Sequence, residues 1–403
     1  MLYKKYIHDY PNWTDWQIDN NQLLPLVANV RLLQGKLLGQ MQSLGFELPL
    51  EAQLDAVTLE VIKTSEIEGE ILNNEQVRSS VARHLGIEHL YNPDTLVTPT
   101  REIDAIVEMM LRASFYFNQP LTLDEIFAWH RALFPTGFSG LYKIQAGRLR
   151  DDRTGAMQVV SGGYGRTKVH FEAPAAQLLP DELAKFIAWY NEEQSDLDLT
   201  LKAGIAHLWF VTLHPFEDGN GRLTRAITER MLAKSDGSAR RFYSMSAQIL
   251  ATRSEYYKIL ESTQKGLTSV TDWLVWFLQT LGQALTMALT RTQRTVDKAQ
   301  FWHRHRNTTF NERQVMMINR LWGDFFGKLT TKKWAMMTKT SPDTALRDIN
   351  DLVEKGVLVK SAESGRSQSY KVPNSDIVGA VQAQKNGTFS SHFLFWLMFF
   401  VML

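Results

Sequence analysis

The sequence predicts a mainly α protein, and three observations carry that reading. Apolar residues recur at spacings of three and four through most of the chain, Pro and Gly are scarce inside those periodic segments, and β-type composition is confined to two short stretches. Residues 1–48 open on Tyr10-Pro11-Asn12-Trp13-Thr14-Asp15-Trp16 and run on through Leu23, Leu26, Val30, Leu33 and Leu37, a small helical docking segment. Over 49–100, Leu54, Val57, Val61 and Ile62 share a helix face, and Gly69 stands where a left-handed C-cap ends that helix, so Glu68 falls in its last turn. Helical spacing resumes at 101–117 and 123–133 and breaks at Pro135 and Gly137. Residues 157–171 read as a β-hairpin around a glycine-rich turn, and helices then continue from 178 to about 288, making 101–290 the helical core.

Beyond Arg291, basic residues (Arg294, Lys298, Arg304, Arg306, Arg313) outnumber nearby acids. From 311 to 372 the order is three helices and two short strands, with Ser341 as N-cap, Pro342 at N1 and Gly356 as the stop of the third helix. Residues 291–373 therefore read as a linker helix and a winged-helix domain. The third helix carries Asp343, Asp348, Asp351 and Glu354 against Arg347 and Lys355, a balance that favours protein interaction over DNA. Residues 374–403 form a tail of unassigned role.

A chain of 403 residues has room for roughly two to three domains. Forty-four Lys and Arg against 43 Asp and Glu leave a net charge of +1, so no global basic field argues for sequence-independent nucleic-acid binding. The absence of cysteine excludes disulfides, a thiolate nucleophile and thiolate-held metals; a metal here binds through oxygen or imidazole. The first residues lack a basic-then-apolar leader and no run reaches the eighteen or so apolar residues of a spanning helix, so the expectation is a cytoplasmic protein without stable membrane insertion. The apolar tail, Phe393-Leu-Phe-Trp-Leu-Met-Phe-Phe-Val-Met-Leu403, covers only about half a membrane thickness as a helix and has no basic cluster beside it.

Chemistry concentrates between residues 201 and 232. An apolar helix through Ile205, Leu208, Trp209 and Leu213 delivers His214 into His214-Pro215-Phe216-Glu217-Asp218-Gly219-Asn220-Gly221-Arg222-Leu223-Thr224-Arg225. Pro215 ends that helix, since the position before proline avoids the α region. Gly219 and Gly221 allow positive φ and leave no Cβ, so successive N–H groups can converge on an anion at the start of the next helix. Arg222 and Arg225, three apart, share a face and can each fork onto phosphate oxygens. Asp218 supplies a hard carboxylate suited to Mg²⁺, and His214 is the one group there whose ordinary pKa lets it take a proton from a hydroxyl at neutral pH.

This run resembles the signature of the Fic family, H-x-F-x-(D/E)-G-N-G-R-x-x-R, at every fixed position. The resemblance implies a helical Fic core with a β-hairpin flap that transfers AMP from Mg-ATP to a Ser, Thr or Tyr hydroxyl of a target protein, itself included, releasing pyrophosphate. It implies His214 as general base, Phe216 as the loop's anchor and Asp218 as the Mg²⁺ ligand. Gly219, Asn220 and Gly221 become the anion hole, Arg222 a phosphate contact and Arg225 the γ-phosphate contact, with Leu223 and Thr224 counted in the same nucleotide-binding stretch. Thr64-Ser65-Glu66-Ile67-Glu68-Gly69 resembles the family's inhibitory motif, which implies that Glu68 docks on Arg225 in place of a γ-phosphate oxygen. The hairpin at 157–171 occupies the place of the flap, with Val159, Val160, Ser161 and Gly162 against nucleotide and target, and Tyr256 and Gln264 resemble nucleotide-side residues. His207 reads as a buried or capping histidine. Two alternatives stay open: removal of AMP at the same site, with Glu68 positioning a water, and a winged-helix DNA-binding regulator with an ATP-sensing core. A homodimer also stays open.

Overall fold

The computed structural model describes residues 5–44, 47–88, 96–153, 155–161, 168–194, 196–322, 325, 327–361 and 368–373, without the side chains of Glu47 and Ala299. Gly162, the turn of the 157–171 hairpin, the polar turn before residue 368 and the apolar tail all lie outside these residues. The described chain divides into two compact units, Met1–Gln293 and Arg294–Leu403. No helix among the described residues is long and apolar enough to cross a membrane.

In the first unit, helix α1 spans Asn20–Gln42, α2 Glu47–Ile67, α3 Asn74–His84, α4 Arg101–Phe115 and α5 Leu123–Leu133. Two small antiparallel hairpins follow, β1 Phe138–Ser139 with β2 Tyr142–Lys143, and β3 Gln158–Ser161 with β4 Lys168–Glu172. The first was not foreseen from the sequence; two-residue strands give no alternation to read. Then come α6 Leu179–Asn191, α7 Leu199–Leu213, α8 Asn220–Asp236, α9 Met245–Ala251, α10 Arg253–Gln264 and α11 Thr271–Arg304, the last of which runs on past Gln293.

Helices α7 and α8 pack on each other more extensively than any other pair and form the centre. Every residue of α7 from Thr200 to Leu213 is buried, so this helix is enclosed on all sides rather than amphipathic. Gly204 makes that closure feasible. A Cβ there would come within 2.8 Å of Leu274, and the Gly204 carbonyl accepts from Trp273 Nε1 at 2.8 Å. The aromatic opening docks on the same helix: Trp13 and Trp16 pack edge-on to each other and to Trp209, with centroids 5.4 to 5.9 Å apart, and Trp13 Nε1 donates to Glu182.

Helix α2 is fixed by a buried carboxylate. Glu60 accepts from the Ser244 hydroxyl, the Ser246 hydroxyl and the Ser246 N–H at the start of α9. The helix ends in a Schellman motif, with Gly69 left-handed at φ +88°, Gly69 N–H on the Glu66 carbonyl and Glu70 N–H on the Ser65 carbonyl, each at 3.0 Å. Glu68 and Glu70 thus flank a left-handed glycine just past the last turn.

The second unit has its own core around Trp334, Ile349, Leu352 and Val357. It contains α12 Glu312–Trp322, β5 Leu329–Thr330, α13 Thr331–Thr338, α14 Pro342–Glu354, β6 Val359–Lys360 and β7 Ser369–Lys371, the strands pairing in the order β5-β7-β6. Ser341 caps α14, accepting from Thr344 N–H, and Gly356 is left-handed after it. The charge count along α14 needs correction. Asp348 is buried, bonded to Arg313 and Asn311, and Asp351 accepts from Gln314 and Lys355, so two of the four acids are neutralised within the unit. The exposed face of α14 carries Asp343, Leu346, Arg347, Asn350 and Glu354 and is mixed rather than acidic.

Candidate active site

The loop between α7 and α8 is built around His214. Helix α7 stops at Leu213, and His214 takes a left-handed conformation, φ 47° and ψ 56°, which for a residue other than glycine is uncommon. The chain then crosses Pro215 and Phe216 and re-enters a helix at Asn220 after a left-handed Gly219, φ +78°. Gly219 also approaches the ring of Phe134 so closely that a Cβ would sit 2.8 Å from it. The Asn220 side chain braces the loop: it accepts from Phe216 N–H at 3.0 Å and donates to the Phe216 carbonyl at 2.8 Å. Phe216 is fully buried, stacked on the His130 ring with centroids 4.1 Å apart.

The His214 ring is oriented by its own helix. Nδ1 lies 3.2 Å from the Val211 carbonyl, and since a carbonyl only accepts, Nδ1 carries the proton of that hydrogen bond. In the neutral ring Nε2 is then the basic nitrogen. Burial pushes the imidazole's pKa below its ordinary value and Arg150 adds to that, against the Val211 carbonyl, Glu68 and Asp218.

Both loop arginines are engaged by one short segment. Arg225, 3% exposed, donates from Nε to the Thr64 hydroxyl, and from one terminal nitrogen to the Thr64 carbonyl at 2.8 Å and to Glu68 Oε1 at 2.7 Å. Arg222, also buried, donates to Glu70 Oε2 at 2.8 Å and packs on the Phe134 ring. Its Nε is buried without a hydrogen-bond partner. Glu68 Oε1 lies where a Cβ on Gly221 would be, 2.1 Å from that position, directly over the first turn of α8. No side chain caps this helix start, so a carboxylate oxygen occupies the place where its unpaired N–H groups and dipole favour an anion.

Asp218 accepts from the Ser139 hydroxyl and from its neighbour's N–H at Gly219, 2.6 Å. No cluster of three or more metal-ligating side chains occurs among the described residues. A single half-exposed carboxylate beside two arginines and a helix start does fit Mg²⁺, which usually takes one or two carboxylates plus phosphate oxygens and water.

The remaining expected residues are placed differently. Leu223 and Thr224 are fully buried, Thr224 bonding back to the Asn220 carbonyl at 2.7 Å, so their side chains serve packing. Val159 packs with Tyr6 and Phe171, whereas Val160 and Ser161 are exposed on β3. Tyr256 is 3% exposed, its hydroxyl 3.0 Å from His207 Nε2 inside the core, and the aromatic that α10 presents outward is Tyr257, 40% exposed. Gln264 is buried, donating to the Thr212 hydroxyl. His207 bridges Thr228 and Tyr256 as a buried core histidine.

His130 and Arg150 belong to the site and were not singled out from the sequence. His130 is fully buried, accepts from Gly147 N–H at Nδ1 and therefore donates from Nε2 to the Asp218 carbonyl, 3.1 Å away, pinning the loop from below. Burial lowers its pKa from 6.5 to about 4, and that of His207 to about 3. Both rings are neutral in the fold, whereas in the unfolded chain they take a proton near pH 6.5. Acid therefore favours unfolding: stability falls as pH drops from about 6.5 toward 4, by about 1.4 kcal/mol per pH unit for each imidazole. Denaturation midpoints measured at pH 7.5 and pH 5 check this, and equal midpoints would refute it.

A helical core that ends in a glycine-lined, arginine-bearing helix start beside a histidine forms a candidate anion-binding site. Residues 120–232 match the family model described as Fic/DOC family, and the chain carries a Fic domain. Residues 6–87 match a domain of unknown function, DUF4172. Curated relatives include a protein adenylyltransferase fic-1 of Caenorhabditis briggsae, 27% identical over 150 residues, 37% of this chain and 25% of that protein. Another is a uridine 5′-monophosphate transferase of Xanthomonas campestris pv. campestris, 32% identical over 114 residues, 26% of this chain and 20% of that protein. The matches thus span about a quarter of these relatives' length. Among solved structures, a Fic family protein from Desulfovibrio desulfuricans G20 covers 89% of this chain and 98% of its own, at 18% identity and a TM-score of 0.49.

Proposed function

We propose that the protein is an autoinhibited protein adenylyltransferase, moving AMP from ATP to a Ser, Thr or Tyr hydroxyl of a protein target. The observation that carries this is Glu68 Oε1, a carboxylate seated on Arg225 and over Gly221 in the position an anionic oxygen of a nucleotide tail would take. With Glu68 turned away, Arg225 and Arg222 receive the phosphates, and the unpaired Arg222 Nε gains an acceptor. Asp218 would hold Mg²⁺, which when bound neutralises charge on the phosphates. The target hydroxyl attacks the α-phosphorus as His214 Nε2 takes its proton, the bond to the β-phosphate breaks, and pyrophosphate leaves. The left-handed turn at His214 and the His130 bond to the Asp218 carbonyl hold base and carboxylate in one rigid loop.

The relatives' names support nucleotidyl transfer, and one of them is named for UMP, so the nucleotide is part of the test. Full-length protein is incubated with each labelled nucleoside triphosphate and Mg²⁺, and the adduct is weighed by mass spectrometry. Addition of AMP to a hydroxyl side chain of the Glu68→Gly protein is the expected result; no adduct with any nucleotide removes the transfer reading.

A further inference from the structure

We propose that Arg150 is a positioning residue for His214, setting the backbone conformation that aims the imidazole. This rests on the transfer reading above. Three consecutive carbonyls, those of Leu213, His214 and Pro215, all accept from Arg150: the first two from its guanidinium at 3.5 and 2.7 Å, the third from its backbone N–H at 3.0 Å. The guanidinium is itself fixed by the Pro174 carbonyl at 2.6 Å and by Asp152 at 2.7 Å, and Asp152 is in turn held by Ala176 N–H. The side chain is 1% exposed.

The physics favours this role over plain packing. The last carbonyls of α7 lack helical partners and sit at the negative end of its dipole, where a buried cation is most favourable. The left-handed turn at His214 costs free energy for any residue with a Cβ, and it persists only where the surroundings over-determine it. Arg150 supplies that determination by gripping the carbonyls on both sides of the turn. The charged groups bearing on the imidazole are Arg150, Glu68 and Asp218; the two carboxylates favour its protonation and Arg150 opposes them.

The test uses the full chain carrying Glu68→Gly, with Arg150→Lys and Arg150→Ala added. Lysine keeps a charge but cannot fork among three carbonyls. The expected result is a kcat for labelling lower by about 100-fold with KM for ATP changed by less than about threefold, as a displaced base predicts. In Arg150→Ala the acidic limb of the pH profile also moves to higher pH, and added guanidinium below denaturing concentration restores part of the rate. Unchanged kcat and an unmoved limb overturn the proposal, as does a loss explained wholly by a lower melting temperature. Should neither Arg150 variant fold, Asp152→Asn, which loosens the guanidinium's anchor, is expected to give the same changes in weaker form, and an unaltered profile there counts against the proposal. Nitrogen-15 histidine NMR separates the two readings: if the Glu68→Gly parent labels nothing, the transfer reading fails, while an unaltered His214 pKa and tautomer on loss of Arg150 overturns the positioning role regardless.

Discussion

Glu68→Gly is expected to raise self-labelling from ATP and Mg²⁺ by about 10- to 100-fold. The carboxylate makes a charge-assisted hydrogen bond to Arg225 at 2.7 Å, a contact worth about 1.5–3 kcal/mol, and each 1.4 kcal/mol is roughly tenfold in an equilibrium. Glycine also removes the oxygen that stands over Gly221, so the triphosphate tail gains both a guanidinium and the start of α8. The neighbouring pair behaves differently. Glu70 is 45% exposed where it meets Arg222, and an ion pair so accessible contributes about 0–1 kcal/mol. Glu70→Ala alone is therefore expected to change labelling by no more than about fivefold, and adding it to Glu68→Gly gives a further rise of that size. Quantified label incorporation across the four proteins checks both numbers. A Glu70 effect larger than the Glu68 effect would reverse the assignment of the inhibitory carboxylate.

The second large effect is loss of the base. In the Glu68→Gly protein, His214→Ala is expected to lower labelling by about 10²- to 10⁴-fold, the usual contribution of a positioned general base, while leaving ATP affinity within about threefold because the arginines and α8 are untouched. Alanine is a poor occupant of the left-handed turn at 214, so it perturbs backbone and chemistry together. His214→Asn separates them, since asparagine adopts that conformation readily and cannot take the proton. Equal, deep losses in both variants with retained nucleotide binding assign the effect to proton transfer. Substantial labelling by His214→Asn would show that the imidazole only shapes the loop.

The contiguous part of this site was legible in the sequence because its chemistry sits within twelve residues, where glycine, proline and paired arginines each have a local meaning. Glu68 stood out only through the resemblance of Thr64 to Gly69 to an inhibitory motif, since a helix end by itself reads as a plain surface acid. What escaped was assembled through space. Arg150 reaches the carbonyl of a residue 64 positions away and His130 one 88 positions away, and neither sits in a local pattern that marks it. Glu70 was not singled out, because only the Schellman turn brings it to Arg222. Helix α7, buried on every face, has no stripe to reveal its centrality, only unbroken apolarity. The acids of α14 misled for the opposite reason, because counting charges along a helix says nothing about which of them face its neighbours.

The anchoring of Glu60 by Ser244 and Ser246 bears on how the proposed inhibition would be released. The post from which the stopper hangs is cemented into the body, so pulling it out whole would strand a buried acid and three donors. On the proposed reading, freeing Arg225 takes only a swivel of one side chain next to Gly69, with the helix left in place.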